Sequence, residues 1–571
     1  MGRTVIDVSR MWGAMSLLVA SLATGASEAA PTIETPGETP LGAYLAGRHA
    51  QQIRDYSAAA SWFENALRAD PESPELITRT FLMEASEGRF ERALALAESE
   101  LKLDSSDAVA ELVLLIDRVK TGDRAGALAR AEALPGDGVH RYVGPLARGW
   151  MRVATGDLAG ADAALQELDK FNGLAPFKYY QLGLVYDYAG RADLAQENFN
   201  KTLEVSGQLN WRLTEAMANF YERHGRDDQA DALYQRFVKD NAGSELAESV
   251  LASKPGKPPA PLIASPEDGL AEALFDLASV VNQPETIDLA LLYTRCALEL
   301  RPNLVLAQLL QSDVLSAENK PELSLEILAE IPPNSPYGWS AQLRIAAELD
   351  MLDRTDEAIT RLRAMAAEAP TRAGADMQLG DLLRGKKRFT EAVEAYDEAV
   401  QRFRAAGLPE RWSLFYSRGI ALERSGQWKR AEADLLHALE LKPDQPLVLN
   451  YLGYSWIDRG ENLERGLKMV ERAVELRPED GYIVDSLGWA HYRLGDYPNA
   501  VQYLEKAIEL VPEDPTINDH LGDAYWQNGR SIEARYQWRR ALQFGPQEDE
   551  VKPIEAKLES GLAPAARAGG G

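Results

Sequence analysis

The sequence predicts an all-α chain in which antiparallel helix pairs stack end to end as an α-solenoid, arranged in two arrays. Three observations carry this. Pro443, Pro478, Pro512 and Pro546 recur at intervals of 35, 34 and 34 residues. Gly419, Gly453, Gly488 and Gly522 recur at 34, 35 and 34, and Ala438, Ala473, Ala507 and Ala541 keep the same beat. A fixed period of that size marks a repeat architecture, in which each unit is too small to bury its own apolar face and stacks on its neighbours instead.

Within a unit the residue types follow from packing. The early glycine and the mid-unit alanine are small because two helices cross closely there. Leu452, Trp456, Leu487, Leu521 and Tyr525 fill the space beside them. Gly460, Gly495 and Gly529 break the helical period between two apolar runs, as a helix-ending glycine does. The closing proline cannot continue the second helix and begins the next connection. One unit is therefore an antiparallel helix pair.

The Leu-Gly pairs at 452–453, 487–488 and 521–522, the alanines and the closing prolines resemble the tetratricopeptide repeat family. That resemblance implies a right-handed superhelix of helix pairs whose work is to bind proteins or peptides rather than to catalyse. Upstream the register continues with falling fidelity: Gly419 to Pro443, Leu379 to Ala399, Ala346 to Pro370, Ser312 to Leu328 and Ala278 to Pro302. Eight units are expected in a C-terminal array over 269–546. Residues 240–268 are rich in Pro, Gly and Ser, lose the period and read as a linker. Before them about six units fill an N-terminal array over 40–239, clear at Tyr56 to Pro71 and at Leu182 to Phe199, eroded between. Val551, Ile554 and Leu558 give 547–562 one more helical pattern, a capping helix, and 563–571 reads as a disordered tail.

The N-terminus carries Arg3 and Arg10, then an apolar run from Met11 to Ala23, then small residues up to Pro31. These are the parts of a secretory signal over 1–30, with cleavage expected after Ala26, Ala29 or Ala30. The run holds 13 residues, short of the roughly 20 that span a bilayer. No cysteine follows it, so no lipid anchor is expected. The expectation is an exported bacterial member of the family, soluble in the periplasm; the alternative is tethering by an uncleaved segment.

Lys+Arg 61 against Asp+Glu 88 gives a net charge of -27, which opposes the phosphate neutralisation that nucleic-acid binding needs. Cys296 is the one cysteine; it allows no intramolecular disulfide and reads as a packing residue. Gly380, Gly385 and Lys386 match the spacing of a phosphate-binding loop, but Lys387 stands where Ser or Thr should hold magnesium, and Gly380 already serves as a crossing glycine. The six histidines show no metal spacing; His491 falls at a packing position, and His520 reads as surface or groove. No catalytic residue, metal or cofactor is expected.

The family resemblance places side chains of successive first helices on a shared groove. Carried over residue by residue, it points to Asn450, Tyr454 and Ile457, then Asp485, Trp489, Tyr492 and Arg493, then Asp519, Asp523 and Trp526. This groove is aromatic and acidic, so a basic or amphipathic protein or peptide is the expected partner. Where some family members bind a carboxylate with lysines and asparagines, the corresponding places here are Asp485, Trp489, Asp519 and Asp523, which argues against an acidic partner. The functional expectation is an interaction scaffold or adaptor in the bacterial cell envelope. The alternative is an accessory or regulatory subunit of an envelope polysaccharide or peptidoglycan enzyme complex.

Overall fold

A computed structural model of the protein describes residues 39–136, 138, 140–241, 246, 259–283 and 285–562. The expected export signal at 1–30, most of the expected linker at 240–268 and the expected tail at 563–571 lie outside the described residues. Among the described residues every regular element is helical. They form two compact bodies, one up to Ser105 and one from Ser106 onward.

The first body holds two antiparallel pairs, α1 (Pro40–Gln52) with α2 (Tyr56–Ala69) and α3 (Pro74–Glu87) with α4 (Phe90–Leu103). Phe63 and Phe81 are fully buried at its centre. Gly47 lets Phe63 approach, since a Cβ there would lie 2.8 Å from the ring.

The second body begins with four pairs whose first helices are α5 (Ala108–Lys120), α7 (Val143–Ala154), α9 (Ala175–Tyr188) and α11 (Trp211–Arg223). Eight more pairs follow from α13 (Pro266–Val280) with α14 (Ile287–Leu300) to α27 (Pro515–Gln527) with α28 (Ser531–Gln543), and α29 (Glu548–Ser560) ends the stack. The last two first helices begin with the same local chemistry. Asp480 and Asp514 cap the first helices α25 (Gly481–Arg493) and α27, their side chains accepting from Ile483 N at 3.3 Å and Ile517 N at 2.9 Å. Asp496 does the same for the second helix α26 (Tyr497–Leu510), accepting from Asn499 N. Between the helices the chain turns through the left-handed region, where Gly495 sits at φ 79. At the eroded turns Asp353 and Lys387 hold the same conformation at φ 58 and φ 60, although they carry a Cβ.

The crossings behave as the small residues require. A Cβ on Gly488 would lie 2.6 Å from Leu504, and one on Gly522 would lie 2.5 Å from the Trp538 ring. The would-be phosphate loop is likewise a crossing: Gly380 lies inside α19 (Gly374–Gly385), against Tyr396 at 2.5 Å. Cys296 is fully buried, and burial pushes its thiol up.

One feature departs from a simple stack. Helix α13 does not pack only on its sequence neighbours; it lies against α7 and α9. Gly269 meets Trp150 so closely that a Cβ would fall 2.2 Å from the indole. Arg212 on α11 donates to Glu272 on α13 from Nε at 2.6 Å and again from its second Nη, and it also holds Glu215. Tyr180 donates to the same Glu272 at 3.1 Å. Trp150 Nε1 donates to Gln181 at 2.9 Å, and Gln181 donates to Asp276 at 2.7 Å. Tyr337, far along the chain, donates to Glu215. Burial holds the Asp276 carboxyl well above the usual range, with the Glu272 charge adding to it.

Two measurements follow. Replacing Glu272→Ala leaves Arg212 buried without its bidentate partner and should cost about 3–5 kcal/mol in urea unfolding of the full chain. Lys387→Gly removes a Cβ from a left-handed turn and should raise stability by about 1 kcal/mol, read the same way.

Candidate partner-binding groove

The expected groove residues lie on three successive first helices, α23 (Pro446–Arg459), α25 and α27. The structure brings these helices side by side, and most of the polar groups meet one another in the seams between them. Asn450 Nδ2 donates to Ser486 Oγ at 3.1 Å, 36 residues on. Arg493 donates to the Asp458 carbonyl at 2.9 Å and to its carboxylate, 35 residues back. His520 Nδ1 sits 3.0 Å from Asp485 Oδ1, again 35 residues away. Lys557 of the terminal helix donates to Asp519 at 2.7 Å and to Asp523 at 2.8 Å, over 38 and 34 residues. Each seam therefore answers a charge or donor with its complement roughly one period later.

The aromatics are braced by their neighbours and partly buried. Trp526 donates its Nε1 to the Leu562 carbonyl at 2.9 Å, and a Cβ on Gly561 would lie 1.9 Å from its ring. Arg535 lies over the same ring, 5.0 Å from its centre. Trp526 thus packs against Gly561 and Leu562 and keeps part of its surface in solvent. Trp489 instead stacks flat on Tyr492 at 4.6 Å and 16°, and on His520 at 3.9 Å and 19°. Trp489, Tyr492 and Tyr454 all keep part of their surface in solvent, and Arg493 is exposed. Ile457, by contrast, is buried in the core.

Electrostatics follow burial. Desolvation raises Asp523 to about 6, and the neighbouring Asp519 pushes the same way while Lys557 opposes. Asp523 also accepts from Trp538 Nε1 at 2.9 Å, tying the seam to the second helix behind it. Desolvation lifts Tyr454 to about 12, aided by Asp458 and Asp485. For His520, burial pushes the pKa down, but the Asp485 charge and hydrogen bond outweigh it and the net direction is up.

His520, expected at the surface or in the groove, lies in the groove: its side chain is 14% exposed, clamped between the Trp489 ring and the Asp485 carboxylate. His491 is half-buried, stacked on Tyr503 at 5.4 Å with Nδ1 3.2 Å from Asp496. The signal for the seam was present in the sequence as complementary residues one period apart, such as Asp485 with His520. Two cavities were not foreseen. One of about 860 Å³ runs beside Trp339 and the helix α18 (Thr355–Glu368). Another of about 530 Å³ is walled by Phe177, Trp211, Phe275 and Leu306, with Asp276 among its few polar groups. Among the described residues no cluster of side chains could hold a metal ion, and no helix is long and apolar enough to cross a membrane.

The raised His520 pKa has a sign that can be checked. Its pairing stabilises the fold fully below the unfolded value of 6.5, and that contribution is lost as pH rises through the folded value. The difference in melting temperature between the protein and His520→Gln should therefore shrink as pH is raised from about 6 to about 9.

Comparison with known proteins accords with this architecture. A family model described as TPR repeat matches residues 488–529, and one described as tetratricopeptide repeat matches 44–108 and 347–407. A TPR repeat-containing protein of Pseudomonas aeruginosa is 30% identical over 185 residues, 32% of this chain; the match spans 30% of that relative's length. The crystal structure of the APC/C hetero-tetramer Cut9-Hcn1 aligns over 90% of this chain and 96% of its own, at 16% identity and a TM-score of 0.39. A tetratricopeptide repeat protein from Parabacteroides merdae aligns over 44% of this chain and 97% of its own, at 13% identity and a TM-score of 0.37. The chain thus carries tetratricopeptide repeats within residues 44–108, 347–407 and 488–529.

Proposed function

We propose that this protein is an interaction scaffold or adaptor of the bacterial cell envelope, binding a protein or peptide segment along the first-helix face of residues 446–527. Tetratricopeptide repeats generally mediate protein–protein interactions, which supports the class of function. The observation that carries the site is the Trp489 and Tyr492 stack, held flat from behind by His520 and left partly open in front. Rings fixed before binding lose little conformational freedom on contact, and aromatics so held are the residues that dominate recognition surfaces.

The contact residues in this reading are Tyr454, Trp489, Tyr492 and Arg493. Asn450, Asp485, Asp519, Asp523 and Trp526 shape the groove through their seam contacts. The partner remains basic or amphipathic in this reading because the net charge of -27 favours encounter with positive segments, although the groove's own acids are largely answered by His520 and Lys557. The envelope setting rests on the export signal read from residues 1–30.

Quantitative affinity capture from isolated envelopes tests it. Trp489→Ala should reduce recovery of at least one envelope protein about tenfold, the size of effect expected of an aromatic anchor, while the melting temperature stays within a few degrees of the parent. Unchanged recovery of every envelope protein by a folded Trp489→Ala variant sinks the groove assignment.

A further inference from the structure

Helix α1 is amphipathic in the wrong sense for a helix that only packs. Its buried side is made of small residues, Ala43, Gly47 and Ala50. Its large apolar residues face solvent instead: Leu41 is 67% exposed, Leu45 58% and, at the end of the helix, Ile53 61%. Leu41, Leu45, Arg48 and Gln52 fall at i, i+4, i+7 and i+11 and so form one stripe along the helix, with His49 and Ile53 at its edge. Arg48, His49, Gln52 and Arg54 are exposed with it. From Pro40 to Arg54 there is no acidic residue, in a chain whose net charge is -27.

A basic hollow of about 500 Å³ opens on the same stripe, lined by Leu45, Arg48, His49, Gln51, Gln52 and, from α3, Arg79. No carboxylate is among them. Glu75 of α3, the carboxylate nearest in the same network, accepts from Tyr44 Oη at 2.6 Å and from Arg79 Nε at 3.0 Å, and these bonds hold its carboxyl below the usual range. Arg48 Nη1 donates to Tyr44 Oη and Arg79 Nη1 to Gln51 Oε1, each at 3.0 Å. A guanidinium carries five N–H groups, so both arginines keep donors beyond these bonds.

An apolar stripe beside a cationic, donor-rich hollow is the complement of an amphiphile with an anionic head. A protein partner fits less well, because the centres of protein interfaces are depleted of charge, whereas here guanidiniums and an imidazole lie between the leucines and Ile53. The interleaving suits a lipid surface: leucines reach the acyl boundary while arginine heads stay among hydrated phosphates.

We propose that α1 is a membrane-docking helix, lying in the surface of an anionic lipid leaflet with Leu41, Leu45 and Ile53 in the acyl boundary and Arg48, His49 and Arg79 around lipid phosphate. The contact is peripheral and reversible, since three apolar side chains and a few charges hold it, and it weakens as salt screens the charges. It uses a different body from the groove and does not rest on the groove reading.

The test is flotation of the full chain with vesicles of phosphatidylglycerol and phosphatidylcholine in equal parts, or of phosphatidylcholine alone. Partition into the anionic vesicles should be about tenfold higher, and it should fall as NaCl is raised from about 50 to about 300 mM. Arg48→Glu, and Leu41→Ser combined with Leu45→Ser, all at exposed positions, should each lower it about tenfold. Cys296 is buried, so a Leu45→Cys variant takes a polarity-sensitive thiol dye at one position, and the emission should move to the blue on anionic vesicles. No partition, partition of the α1 variants equal to that of the parent, or an unmoved emission overturns the proposal. Glycerol phosphate bound as tightly as the vesicles makes a free phosphate the ligand, and polyglutamate bound in place of the vesicles makes an acidic protein the occupant; either result overturns it. No protein partner enters the measurement, so its failure and the failure of the groove reading are distinguishable.

Discussion

The second body is organised around one buried ion pair, Arg212 with Glu272. In a plain solenoid each helix pair touches only the pairs before and after it, and stability is close to a sum of nearest-neighbour terms. Here Glu272 belongs to a helix that returns across the first-helix face of earlier repeats, and its carboxylate is fully buried. A buried charge is tolerable only with a partner of good geometry and with its remaining lone pairs answered. Arg212 gives the first through two donors, and Tyr180 the second. Glu215 and Tyr337 extend the same network to a repeat far downstream. Several helices are thereby fixed by geometry that tolerates little displacement, and the close contact of Gly269 with Trp150 depends on it.

The helix pairs were legible in the sequence because their causes are local and periodic. Gly488 and Ala507 are small where helices cross, Asp514 caps where a helix begins, and Gly495 turns where one ends; each leaves a mark at a fixed offset. The return of α13 was not legible. Its determinants are single residues separated by 60 to 122 positions, as Arg212 is from Glu272 and Glu215 from Tyr337, and no periodic pattern announces such pairs. Residues 240–268 have the composition of a linker, and composition says nothing about where the chain goes next.

The groove shows a second limit of the same kind. Offsets from the Leu-Gly pair identify which side chains lie near the first-helix face, but they do not separate residues that look outward from residues that look along the stack. Asp485, Asp519 and Asp523 read as an open acidic surface when taken one helix at a time. Taken with the residue one period further on, they become halves of pairs with His520 and Lys557. The aromatic set is braced by the same logic: Trp489 rests on His520 and Trp526 on Gly561 and Leu562, each keeping part of its surface in solvent.

The return of α13 also changes how the molecule should respond to force. A stack of helix pairs linked only to neighbours behaves as a soft spring, because a small rotation at each junction adds up over the whole length. Cross-bracing between α7, α9, α11 and α13 removes that freedom over the stretch it spans. The second body is then a stiff block continued by a more compliant run of repeats, so bending under load concentrates in the later pairs.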